Sequence, residues 1–120
     1  MIEEKGSCRG RAALFASILF LYAPLGGPAV ADDLPIIAVT IKDHRFTPSE
    51  IHVPQGKPVI LKITNDDATP EEFDSAALKV EKVIVGGTYG TVHLRPLGPG
   101  RYPFMGEYHS DTAQGVVISE

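Results

Sequence analysis

The chain has 120 residues, with 11 Lys+Arg against 15 Asp+Glu for a net charge of −4, and a single cysteine, Cys8. An acidic balance disfavours nucleic acid and anionic lipid as partners and tolerates cations. With the only thiol near the start, the rest of the chain has no disulfide, no zinc-thiolate cluster and no cysteine nucleophile.

Taken in order, Lys5, Arg9 and Arg11 lead into an apolar run from Ala12 to Leu25, and Ala29-Val30-Ala31 then gives a small-x-small pattern ahead of Asp32-Asp33. That order reads as a secretory signal peptide, residues 1–31, cleaved after Ala31. Pro24, Gly26, Gly27 and Pro28 interrupt the run, which falls short of the roughly 20 residues of a membrane span. A periplasmic protein with no stable membrane insertion after cleavage is therefore expected. Cys8 precedes the apolar run, so it does not stand where a lipoprotein cysteine would. The remaining 89 residues, 32–120, carry a net charge of −5 and make one domain near the lower end of what a single core sustains.

Within 32–120, short apolar segments alternate with Gly, Pro and Asp. Pro35 to Lys42 carries Ile36, Ile37, Val39 and Ile41, and Ile51-His52-Val53 ends at Pro54-Gln55-Gly56. Val59, Leu61 and Ile63 alternate with Ile60, Lys62 and Thr64, the period of a strand with one buried face. Glu71 to Leu78 has room for a helical turn. Val80 to Val85, Thr91 to Leu94, Tyr102 to Phe104 and Gly115 to Ile118 complete the set. Strands at this spacing, with turn residues between them, predict an all-β antiparallel sandwich or barrel.

The loop Tyr102-Pro103-Phe104-Met105-Gly106-Glu107-Tyr108-His109-Ser110-Asp111-Thr112-Ala113-Gln114-Gly115 resembles the ligand loop of cupredoxins, which implies a Greek-key β-sandwich. Laid on that pattern, Gly106 stands at the Cys ligand, His109 at the His, Ala113 at the Met and Gly115 at the glycine. Upstream, Thr64-Asn65-Asp66-Asp67-Ala68-Thr69-Pro70-Glu71-Glu72-Phe73 has a Glu where the other His would be. One of four blue-copper ligands survives, and without a thiolate the trigonal copper site cannot be built. Together with Asp43-His44-Arg45-Phe46-Thr47-Pro48 and Glu81-Lys82-Val83-Ile84, these segments resemble the FtrB-type component of bacterial ferrous-iron uptake systems. That resemblance implies a role in oxidising Fe(II), as a ferroxidase, or in passing it on. It also implies a membrane iron permease and an associated periplasmic iron-binding protein as partners.

The cupredoxin layout brings His44, Glu72, Glu107 and His109 to one end of the sandwich. Two imidazoles and two carboxylates suit an iron or copper ion, Fe(II) or a non-blue Cu(II), and equally Mn(II) or Zn(II). Glu107 and His109, two apart on an extended segment, would share a side and chelate. Glu71 or Asp74 can stand in for Glu72, and Asp111 either joins the site or caps the turn. His52 and His93 lie between apolar neighbours and face solvent by alternation. Two rival readings stay open: a copper carrier using Met105 and His109, and a metal-free interaction module of a membrane transport complex.

Overall fold

The computed structural model describes residues 34–120; the expected signal peptide, 1–31, and the first two residues of the expected domain lie outside the described residues. The strands are β1 (Ile36–Lys42), β2 (Arg45–Thr47), β3 (Glu50–Val53), β4 (Val59–Asn65), β5 (Glu71–Ser75), β6 (Val80–Ile84), β7 (Tyr89–Leu94), β8 (Gly100–Gly106) and β9 (Gln114–Ser119), with a 3-10 turn at Glu107–His109. They form two sheets, in the order β2-β1-β4-β7 and β3-β9-β8-β5-β6. The expected all-β sandwich is present. Its sheets are mixed rather than purely antiparallel, because β1 runs parallel to β4 and β3 parallel to β9.

Alternation decides which side chains go inside. Val59, Leu61, Ile63 and Asn65 of β4 are buried while Lys62 between them is exposed. Val39 and Ile41 of β1 and Val92 and Leu94 of β7 join the same layer. From the second sheet Ile51, Val53, Phe73, Ile84, Phe104 and Val117 face them. Phe46, Phe73 and Phe104 fill one end of this core. Phe46 meets the other two edge-on, with centroids 5.9 and 5.0 Å away, and Phe73 stacks on Phe104 at 4.7 Å. A Cβ on Gly115 would lie 2.3 Å from the Phe104 ring, so only glycine leaves room for that aromatic. His52 and His93 are exposed, as alternation requires.

Of residues 71–78, where a helical turn has room, 71–75 are strand, and a tight turn is confined to 76–79. Glu71, Phe73 and Ser75 are inward on β5, Glu72 and Asp74 are outward, and the strand is paired on both sides, by β6 and by β8. Two-sided pairing at period 2 overrides the weak local signal for a turn. The chain reverses just after, where the Leu78 N–H donates to Ser75 Oγ (2.9 Å) and Lys79 takes a φ of 60°.

Asn65, fully buried, anchors the loop from β4 to β5. Its Nδ2 donates to the carbonyls of Thr69 (2.9 Å) and Ile84 (3.0 Å), and its Oδ1 accepts from the Asp67 N–H (3.0 Å). Its backbone bonds Thr88 and Gly87. A buried amide with every group partnered contributes because the alternative leaves carbonyls stranded. Asn65→Ala strands two of them, and a loss of roughly 2–4 kcal/mol in urea unfolding is expected.

His52 on β3 sits between two acids. Its Nδ1 is 2.6 Å from Glu120 and its Nε2 3.5 Å from Glu50. The hydrogen bond to Glu120 is the largest cause of a pKa raised above 6.5. Its contribution to stability is therefore complete below pH 6.5 and lost as pH rises through the higher folded value. Thermal unfolding across that window is expected to show this loss, and Glu120→Gln to remove it. The surface setting keeps the effect small.

Candidate metal centre

The site end of the sandwich is built by β5, the 3-10 turn after β8, and the turn between β1 and β2. Period 2 on β5 sends neighbouring acids to opposite sides of the sheet. Glu71 points inward and is 1% exposed. Its Oε1 accepts from the backbone N–H of Glu72 (3.0 Å) and of Tyr108 (2.9 Å), and its Oε2 lies 2.6 Å from Nδ1 of His109. A buried carboxylate must be surrounded by donors in this way or it is too costly to keep.

His109 stacks on His44, with ring centroids 3.5 Å apart and planes 12° from parallel. His44 is held from its backbone. It has a φ of 57°, its N–H and that of Asp43 donate to the Asp67 carboxylate (2.9 and 2.8 Å), and its carbonyl accepts from Thr112 Oγ1 (2.7 Å). These backbone donors, that of His44 first, hold the Asp67 carboxyl below its usual range. The loop beyond β8 closes on itself, with the Gly106 N–H bonded to the Ala113 carbonyl (2.8 Å) and the Ala113 N–H to the His109 carbonyl (2.9 Å).

On the outer face, Glu72, Asp74 and Glu107 each present a carboxylate oxygen, all within 4.8 Å of one another. Desolvation is the first cause of a raised pKa at Glu72, and repulsion from Glu107, Glu81 and Asp74 follows. The four expected ligands thus fall into two groups. His44 and His109 stack together with Glu71 behind them, while Glu72 and Glu107 gather on the outer face with Asp74, Glu107 also bordering the depression beside the two histidines. The reason is local. Residues 107–109 form a 3-10 turn instead of an extended segment, and at three residues per turn side chains two apart diverge. Asp111 lies in the exposed loop with Ser110. Met105 is exposed on the outer face, paired in register with Asp74.

Glu71 and Asp67 are the residues that sequence reasoning underrates. The signal for Glu71 lies in Phe73: an aromatic certain to be inward puts the residue two before it on the same side. No comparable signal marks Asp67, whose partners come from a turn 23 and 24 residues away.

The positions 71, 106, 109 and 113 converge. A Cβ on Gly106 would stand 2.6 Å from the Glu71 carboxyl carbon and 2.7 Å from the Ala113 Cβ, so the space beside Gly106 is already occupied. Gly106→Ala overpacks this point, and a destabilisation of about 1–3 kcal/mol in chemical unfolding is expected.

Residues 11–119 match the family model described as a cupredoxin-like domain. The "Uncharacterized protein RP394" of Rickettsia prowazekii (strain Madrid E) is 38% identical over 103 residues, covering 86% of this chain and 82% of that protein. Among solved structures, the metal binding domain of the Cu(I) exporting P-type ATPase CopA from Streptococcus pneumoniae D39 aligns with a TM-score of 0.63 at 13% identity, over 77% of this chain and 91% of that one. Auracyanin A of Chloroflexus aurantiacus aligns at 0.61 and 15%, over 73% and 100%. An oxidized mutant of amicyanin aligns at 0.57 and 21%, over 76% and 86%. At these identities the likeness speaks for the fold alone.

Proposed function

The chain belongs to the cupredoxin-like domain family, and on that premise we propose that it is an exported metal-handling protein that captures Fe(II) and passes it to a membrane iron permease. The observation that carries this reading is the convergence of Glu72, Asp74 and Glu107 on one small volume of the outer face. Carboxylates crowded together repel one another, and that repulsion, after desolvation as the larger cause, helps to raise the pKa of Glu72. A divalent cation relieves it, and carboxylate oxygens suit hard ions. The resemblance to the FtrB-type component supplies the choice of iron, the periplasmic setting and the partners, a permease and its associated iron-binding protein.

Copper is the rival, since two of the structural neighbours are described as a "blue" copper protein and as a domain with Cu(I). A thiolate copper centre does not fit the residues of this chain. Gly106 has no sulfur and no room for a Cβ, Ala113 has no donor atom, and Nδ1 of His109 already faces Glu71. Carboxylates and imidazoles accept no electron from Fe(II), so these residues by themselves account for capture and delivery, and oxidation would require an external electron acceptor. Exposed apolar side chains adjoin the carboxylates: Val83 pairs in register with Glu72, Met105 with Asp74, and Tyr108 follows Glu107. They offer the permease a contact surface beside the ion.

Anaerobic calorimetry on the purified protein tests this. One Fe(II) per chain is expected. Asp74→Asn and Glu107→Gln should each weaken binding by about tenfold or more, as loss of a charged oxygen ligand does. Equal affinity for Ca(II), or no Fe(II) uptake at all, would remove iron from the account. A second expectation concerns pH. A protonated Glu72 gives up its charge, and its raised pKa puts that event above the 4.5 of an ordinary glutamate. Fe(II) affinity should therefore decline on acidification earlier than an unperturbed carboxylate would dictate.

A further inference from the structure

We infer that Glu71 is the positioning residue of this tip: a resident internal anion that assembles the loop without a metal and fixes His109 with Nδ1 protonated and Nε2 bare. The inference concerns the inner group of residues and stands or falls apart from the outer carboxylates.

Glu71 is held from several directions at once. It is the one buried acid among the described residues, and its two oxygens meet three partners from two segments: the N–H of Glu72, the N–H of Tyr108 and Nδ1 of His109. Tyr108 and His109 belong to the 3-10 turn, so a single carboxylate tethers that turn to β5 by backbone and side chain together. It also fills the volume beside Gly106 and Ala113, where a Cβ would collide with it. No space for an ion is left at that point.

A carboxylate oxygen is an acceptor, and the 2.6 Å contact between Oε2 of Glu71 and Nδ1 of His109 needs a donor, which the ring nitrogen supplies. Nδ1–H therefore donates to Oε2. In the neutral imidazole this leaves Nε2 as the bare nitrogen, on the far side of the ring from Glu71. The arrangement is that of a carboxylate orienting a histidine whose other nitrogen is reserved for a ligand. The ring cannot easily turn over to exchange its nitrogens. His44 lies flat against it at 3.5 Å and is itself pinned through Asp67 and Thr112. His109 is about a quarter exposed, and with His44, Glu107, Tyr108, Asp111 and Thr112 it lines a shallow depression on the surface. Nε2 is thus a fixed lone pair offered there, suited to a hydrogen-bond donor such as a water of a hydrated cation.

The test is a long-range proton–nitrogen NMR spectrum of the ¹⁵N-labelled protein stripped with EDTA. His109 is expected to show a protonated Nδ1 and a bare Nε2, with the same unfolding temperature before and after stripping. Glu71→Gln keeps the shape but has one acceptor oxygen for three donors, so a measurable fraction of His109 should move its proton to Nε2 while circular dichroism stays native. An unchanged tautomer in that folded variant would reduce Glu71 to a structural filler and overturn the inference. Zn(II) at one equivalent supplies an arm that needs no variant. Retention of the Nδ1 proton supports the inference. Its displacement would mean that Glu71 and His109 are themselves direct ligands, closed on each other when no ion is bound, and would equally overturn it. Shifts confined to Glu72, Asp74 and Glu107 in the same titration report on the outer carboxylates alone, so the two readings fail separately.

Discussion

A carboxylate sealed inside a β-sandwich has to be fully supplied with donors, and the tip of this protein is arranged around that demand. Glu71 is 1% exposed and draws one N–H from its own strand, one from the turn after β8, and an imidazole from the same turn. Removing any of these leaves a buried charge short of partners, which costs more than an ordinary hydrogen bond contributes. The position of His109, its contact with His44 and the closure of the loop from Gly106 to Ala113 all follow from satisfying that one side chain.

The same strand explains why the site has two faces. Successive residues of β5 alternate sides, so Glu71 and Glu72, adjacent in the chain, serve different environments. One is desolvated and neutralised by local donors. The other stays at the surface among Asp74, Glu81 and Glu107, where repulsion accumulates instead of being quenched. Physically these are opposite solutions to the presence of negative charge, and only the outer one leaves charge unsatisfied and open to a cation.

Much of the scaffold was legible in the residues. The alternation in Val59–Thr64 and the turn residues between segments pointed to a β-sandwich or barrel, the resemblance of the loop from Tyr102 to Gly115 implied the cupredoxin type, and the family match agrees. The parallel pairings of β1 with β4 and β3 with β9 were not legible, because strand direction depends on which distant segments meet. Nor was the division of the site. Reading 71–78 as room for a helical turn hid the period-2 placement of Glu71 with Phe73. Reading 107–109 as extended put Glu107 and His109 on one side, when a 3-10 turn parts them. The roles of Asp67 and Asn65 escaped for another reason: each acts by hydrogen-bonding backbone far away in sequence, and backbone carries no signature in the residue letters.

Strand β9 is paired along both of its edges. This strand lies between β3 and β8, closing the sheet on both sides, and it follows directly after the loop that carries His109. The anchor points of that loop, β8 before it and β9 after it, are held by their own pairing, with Met105 opposite Gln114, and β9 also docks along β3, more than sixty residues upstream. Long-range closure of this kind is slow compared with forming a hairpin. The tip's hairpin can therefore close before β3 joins, and a partially folded form in which β3 has not docked would leave β9 as a bare edge of the sheet.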